Sequence, residues 1–139
     1  KLNCSAATIF KSRNKPNEVS NMVLMGDVKN KISILVDDII DTAGTACKAC
    51  KTLLENGSIE VYMLACHGLF SGNAIDKINN SGFSKIIISN TLESDPKIIN
   101  NEKIETIDVS WICSEAIKRQ VDGKSLNELY DNVNYDKYN

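Results

Sequence analysis

Ile34-Leu35-Val36-Asp37-Asp38-Ile39-Ile40-Asp41-Thr42-Ala43-Gly44-Thr45 runs an apolar strand straight into three carboxylates, two threonines and a glycine. A short, unalternating apolar run is what a strand buried on both faces requires, and such strands belong to parallel sheets. The polar segment after it falls where a parallel strand hands over to its helix, at the carboxyl edge where these sheets bind ligands. Its chemistry suits a sugar phosphate. Carboxylates accept hydrogen bonds from vicinal hydroxyls, while the Gly/Thr segment offers backbone N–H groups and hydroxyls to an anion at a helix N-terminus. Carboxylates this close repel one another and call for a compensating ligand, metal or hydroxyl donor, so a merely solvated acidic turn is the weaker reading.

Outward from this loop the same alternation continues. Apolar runs of strand length are Ala6 to Phe10, Met22 to Met25, Ile32 to Val36, Val61 to Cys66, Lys85 to Ser89 and Ile104 to Val109. Between them, Thr45 to Glu55 spaces Ala46, Ala49, Cys50, Leu53 and Leu54 as a helix face and stops at Asn56-Gly57. Asn73 to Asn80 repeats the scheme, with Ser71 placed to cap. Ser110 to Gln120 is a third helix with Trp111, Ile112, Ala116 and Ile117 on its core side, and Ser125 is placed to cap a short helix through Tyr130. Strands alternating with helices predict one α/β domain over residues 1–139, a mostly parallel sheet flanked by helices. Lys11 to Glu18 breaks the pattern and predicts an exposed, basic, mobile loop.

Composition narrows the function classes. The 139 residues are 42% apolar and 24% charged, and 16 basic against 18 acidic side chains give a net charge of −2. That balance exerts no global pull on nucleic acid or an anionic membrane, so any anion site is local. No apolar run approaches the length of a membrane span. Five cysteines, an odd number scattered through apolar stretches, fit a reduced cytoplasm better than a disulfide framework. No Gly-x-x-x-x-Gly-Lys-Ser/Thr or Gly-x-Gly-x-x-Gly occurs, so neither common nucleotide-binding fingerprint is present. His67 is the single histidine, and Cys47-x-x-Cys50 has no second pair to make a zinc site.

The loop from Val36 to Thr45 resembles the ribose-phosphate loop of the type I phosphoribosyltransferase fold, and its Asp41-Thr42-x-Gly44-Thr45 ending is similar to that of the ribose-phosphate pyrophosphokinases. Lys11-x-Arg13, Asn17-Glu18-Val19, Met22-Val23-Leu24-x-Gly26-Asp27-Val28, His67-Gly68-x-Phe70-Ser71-Gly72, Ile78-Asn79-Asn80 and Asn90-Thr91 resemble the C-terminal half of that family in order. The resemblance implies a reaction in which ATP donates pyrophosphate to O1 of ribose 5-phosphate, giving phosphoribosyl pyrophosphate and AMP with Mg²⁺. It implies that Asp37 and Asp38 hold ribose hydroxyls, that Asp41, Thr42, Ala43, Gly44 and Thr45 wrap the 5-phosphate, and that Lys11 and Arg13 are catalytic. Beside a phosphate dianion, Asp41 is better partnered by a hydroxyl or water. Ser125, Asn127 and Tyr130 match a regulatory segment that takes inorganic phosphate as activator, with Asn127 standing where a serine is common.

The resemblance further implies a cytoplasmic homo-oligomer, dimers assembling into hexamers, with the metal ligands and most of the ATP site in an N-terminal half these residues do not contain. The fragment alone is then expected to be inactive. Two rivals are a phosphoribosyltransferase of the same fold, against which Asp41-Thr42 with the Lys11-x-Arg13 loop weighs, and a non-catalytic regulatory homologue, against which the intact Lys11 and Arg13 weigh.

Overall fold

The computed structural model describes residues 4–12, 21–93, 95–127 and 129. β1 (Thr8–Ser12) and β2 (Asn21–Met25) form an antiparallel pair with Thr8 opposite Met25 and Lys11 opposite Met22. A second, four-stranded sheet follows in the order β3 (Ile32–Ile40), β4 (Glu60–Gly68), β5 (Lys85–Ser89), β6 (Ile104–Ile107), every pair parallel. The strands are joined by α1 (Gly44–Glu55), α2 (Ala74–Asn79) and the one-turn α3 (Pro96–Ile99), and α4 (Ser110–Val121) follows β6. This is the expected α/β class with a mostly parallel sheet. No helix among the described residues is long and apolar enough to cross a membrane.

The core forms where the connecting helices meet the sheet. Each crossover steps in the same direction, from β3 to β4 to β5 to β6, and right-handed crossovers then place their helices on one face. Val61, Met63 and Ala65 of β4 and Ile86 and Ile88 of β5 alternate toward that face. They pack with Ala46, Cys50 and Leu53 of α1, Ala74 and Ile78 of α2, and Ile98 of α3. Ile9 and Leu24 carry the β1–β2 pair onto the same cluster.

Among the described residues the other face of the sheet is covered unevenly, half-buried at Tyr62, Leu64 and Ile87 and open along β3, which departs from strands buried on both faces. Ile32, Ile34 and Val36 of β3 are exposed. Several boundaries also differ. β3 runs four residues beyond Val36, because parallel pairing to β4 continues through Asp37, Ile39 and Ile40. Lys11 and Ser12 belong to β1 rather than to the basic loop. α2 begins after Asn73 with no side-chain cap, and Ser71 contributes only its backbone carbonyl, to the Ala74 N–H. α4 has no buried residue, with Ile117 well exposed, so its expected core face is at most half-buried.

Candidate active site

The first turn of α1 lies at the carboxyl end of β3, and the local hydrogen bonds explain how the chain turns between them. The Ile40 carbonyl accepts from both the Leu69 and Phe70 N–H groups, at 2.9 and 3.1 Å, and Asp41 O accepts from Ser71 N–H at 3.0 Å. Residues after β4 thus pin the exit of β3. Lys77, from α2, donates through Nζ to Thr42 O at 2.9 Å. Ala43 then adopts the left-handed conformation, φ 57° and ψ 0°, and its carbonyl accepts the first helical bond from Cys47 N–H at 2.9 Å. A left-handed alanine costs about 1–2 kcal/mol, and backbone strain of this kind gathers at ligand-binding turns. Its methyl is buried against the core, which holds it there.

No side chain caps α1, and no acidic residue occupies its first turn. The leading N–H groups of a helix have no intrahelical acceptor, and the macrodipole favours negative charge at that end. Gly44 opens the helix, and a Cβ built on it would meet only Thr42 Oγ1, at 3.9 Å. The mouth of the turn is therefore open. Thr42, Gly44 and Thr45 are all exposed around it.

The structure places Asp41, Thr42 and Ala43 in the turn after β3 and Gly44 and Thr45 at the start of α1. Asp37 and Asp38 sit just below the turn on β3, both exposed. Successive side chains of a strand leave opposite faces, so these two carboxylates flank the strand rather than form one patch. Asp37 Oδ1 accepts the Asp38 N–H at 3.0 Å, while the parallel register pairs Asp37 with Ala65 and Ile39 with His67 but omits Asp38. His67 stands on the neighbouring strand end, its Nδ1 2.7 Å from Thr91 Oγ1, which donates to Cys66 O. That bond ties the β4 and β5 termini together and gives the histidine a structural role.

Lys77 was not singled out by the sequence reading, and its ammonium is tied to the turn. Thirty-five residues separate it from Thr42, and only the packing of α2 through Ala74 and Ile78 brings it there. Lys11 lies on β1, opposite Met22. Arg13 and Tyr130 lie outside the described residues. Ser125 Oγ accepts Asn127 N–H at 3.2 Å, an ordinary turn closure, and both side chains are exposed. Cys47 and Cys50 do not form a reactive pair, because desolvation raises both thiols, Cys50 to about 11. Among the described residues, no group of three or more His, Cys, Asp or Glu side chains is arranged to hold a metal ion.

The family profile of the phosphoribosyl synthetase-associated domain matches residues 4–131. Among solved structures, phosphoribosylpyrophosphate synthetase from Mycobacterium smegmatis is similar with a TM-score of 0.73 and 30% sequence identity over 84% of this chain. The chain spans 37% of the length of that synthetase. A parallel sheet whose first strand ends in an acidic, glycine-bearing turn over an uncapped helix thus agrees with a match across nearly the whole sequence, and the chain belongs to the phosphoribosyl synthetase-associated domain family.

Proposed function

We propose that this domain binds ribose 5-phosphate and supplies catalytic cations in a ribose-phosphate diphosphokinase. The observation that carries the proposal is the turn from Asp41 to Thr45, braced from outside by Lys77 and residues 69–71 while its own mouth and the α1 N-terminus stay open. The 5-phosphate takes the open N–H groups and the Thr42 and Thr45 hydroxyls. Asp37 and Asp38, lower on β3, accept from the ribose hydroxyls, and the turn fixes O1 relative to the incoming nucleotide.

In the transfer, O1 forms a bond to the β-phosphorus of ATP and the α–β bridging bond breaks, releasing AMP. The protein contributes position and positive charge to such a step, and Lys11 and Arg13 supply that charge. Mg²⁺ keeps several of its waters and is commonly held by one or two carboxylates together with substrate phosphates. In this reading the ion would arrive with the nucleotide phosphates. Assembly into homo-oligomers and activation by inorganic phosphate through Ser125, Asn127 and Tyr130 are parts of the same reading.

Because the chain spans 37% of the matched synthetase, it is expected to show ribose 5-phosphate binding without robust turnover. Robust phosphoribosyl pyrophosphate synthesis by the purified 139-residue chain would contradict that division of labour. In an enzyme carrying this domain together with the rest of the fold, K11A/R13A should abolish transfer while leaving ribose 5-phosphate affinity within about twofold, a change worth less than roughly 0.5 kcal/mol. Unchanged turnover would remove Lys11 and Arg13 from the mechanism.

A further inference from the structure

We propose that Lys103 is a positioning residue for the sugar-phosphate turn, acting on it through α2 and Lys77; the inference rests on the assignment of that turn to ribose 5-phosphate. Lys103 stands just before β6, and its backbone is fixed there. Its N–H donates to Asn101 Oδ1 at 2.9 Å, and its carbonyl accepts from the N–H of Ile86, in β5, at 2.8 Å. From this anchored base its ammonium reaches the C-terminal end of α2, donating to Ser81 O at 2.7 Å and to Asn79 O at 3.0 Å. A third contact, 3.4 Å to Ile78 O, is weaker, since that carbonyl already accepts from the N–H and Oγ of Ser81. Asn101 adds a bond from its Nδ2 to Asn79 Oδ1 at 2.9 Å. A cation against the last carbonyls of a helix satisfies acceptors that the helix leaves open and opposes the negative end of its dipole.

α2 needs such an anchor. It has six residues and no side-chain cap at its N-terminus, and helices shorter than about 12 residues do not hold together on their own. It enters the core through Ala74 and Ile78. Just beyond it, Gly82 comes so close to α1 that a Cβ there would run into Leu54 Cδ1. The segment that Lys103 grips is therefore pressed onto the helix that opens at the turn. Desolvation raises the Cys47 thiol of α1, and the Lys77 and Lys103 ammoniums both pull it back, which puts the two cations near the same part of that helix.

Lys77 sits in the last turn of α2, beside the residues whose carbonyls Lys103 holds. Its ammonium meets Thr42 O at 2.9 Å, and a lengthening of roughly 0.7 Å would end that hydrogen bond. The flexible stem of a lysine can follow a loosened helix only by spreading over several rotamers, which holds the carbonyl less firmly. The Thr42 carbonyl and the Ala43 N–H belong to one planar peptide, so fixing the first aims the second. That N–H leads into the left-handed residue and the first N–H groups of α1, where the 5-phosphate binds in this reading. Lys103 bonds to residues 78, 79 and 81 rather than to the turn, so its effect there has to pass through α2.

The test combines backbone amide chemical shifts of the ligand-free chain with ribose 5-phosphate titration, for the parent, K103M, K77M, K103R and the K77M/K103M double variant. K103M should move the amide signals of Ala43, Gly44 and Thr45 in the same direction as K77M does. It should lower ribose 5-phosphate affinity about two- to fivefold and add nothing in the K77M background. K103R should restore most of the affinity. Thermal melts check that each variant is folded. Should K103M unfold, N101A, which removes only the side-chain bonds to Asn79 and to the Lys103 N–H, should show the same pattern at smaller amplitude. Shifts confined to residues 78–82 and 101–104, with parental affinity, would overturn the inference, as would losses that add in the double variant. A parent chain that binds no ribose 5-phosphate would instead overturn the reading of the turn, and the ligand-free amide shifts would still decide whether Lys103 acts on it.

Discussion

Ala43 and Gly44 divide their work differently from what their side chains suggest. Glycine is the residue expected at a left-handed turn, yet Ala43 carries the positive φ and Gly44 begins the helix. Gly44 is therefore not required by the fold, since its Cβ position is empty apart from Thr42 Oγ1 at 3.9 Å. G44A should stabilise the protein by about 0.5–1 kcal/mol, the usual gain for replacing glycine in a helix. The same methyl would stand at the mouth of the turn and weaken ribose 5-phosphate binding. Thermal melts and calorimetric titration of one variant would show the opposed effects; loss of stability with unchanged affinity would contradict the assignment. Cys50 offers a second residue-level check. Fully buried and with its thiol raised to about 11, it should resist iodoacetamide at neutral pH while exposed Cys4, Cys66 and Cys113 react. Mass spectrometry of the alkylated native protein reads the outcome. The position of the turn was legible in the sequence, because an apolar strand gives way there to polar residues and a helix-spaced face follows. Its conformation was not, because it depends on contacts distant in sequence: residues 69–71 hold the Ile40 and Asp41 carbonyls, Lys77 holds that of Thr42, and the Ala43 methyl is buried.

At the level of elements, two side chains fix the relations between neighbours. Lys77 links α2 to the Asp41–Thr45 turn, and K77M should lower ribose 5-phosphate affinity about three- to tenfold, the effect of losing a hydrogen bond worth roughly 0.5–1.5 kcal/mol. K77R should retain most of it. Titrations of the two variants decide the matter, and equal affinity for K77M and the parent would make the contact incidental. Asp108 joins the β5 and β6 ends to α4: its Oδ1 accepts the Ser110 N–H and the Asn90 amide, each at 2.8 Å. The Ser110 backbone bond, chiefly, holds its carboxyl below the ordinary value. Because the folded-state value is the lower one, the stabilisation is present above the unfolded carboxylate range, near 3.9. It fades as pH falls through the folded value. D108N should remove that contribution to the acid dependence, as read from melting temperatures between about pH 2 and 6.

Sequence periodicity located β4, β5 and α1 well, since each buries a regular face. It ended β3 too early because Asp37-Asp38 interrupts the apolar run while the pairing to β4 continues. It missed α3, whose four residues are too few to show a period, with Pro96 at a start where its missing N–H costs nothing. It also gave α4 a core side that packing leaves half-exposed.

For the whole molecule, the uneven cover of the sheet among the described residues sets where substitutions hurt. M63A, at a fully buried position of β4, should cost about 2–5 kcal/mol, whereas I34A on the open side of β3 should stay within about 0.5 kcal/mol of the parent. Urea unfolding of both separates them; equal costs would mean that side of β3 is covered in the isolated chain. The same asymmetry explains how the sequence could reveal the fold class yet mislead on burial. Continuous apolar strands signal a sheet meant to be covered twice, and the described residues cover the second face only in part. The turn beyond β3 nonetheless forms under this partial cover, so substrate recognition should survive in this chain. The most direct measurement is calorimetric titration of the purified chain with ribose 5-phosphate, beside the D37N/D38N variant. Saturable binding weakened at least about tenfold in the variant, some 1.4 kcal/mol, is expected; no binding, or equal binding by both proteins, would contradict the assignment of this turn and its carboxylates to the sugar phosphate.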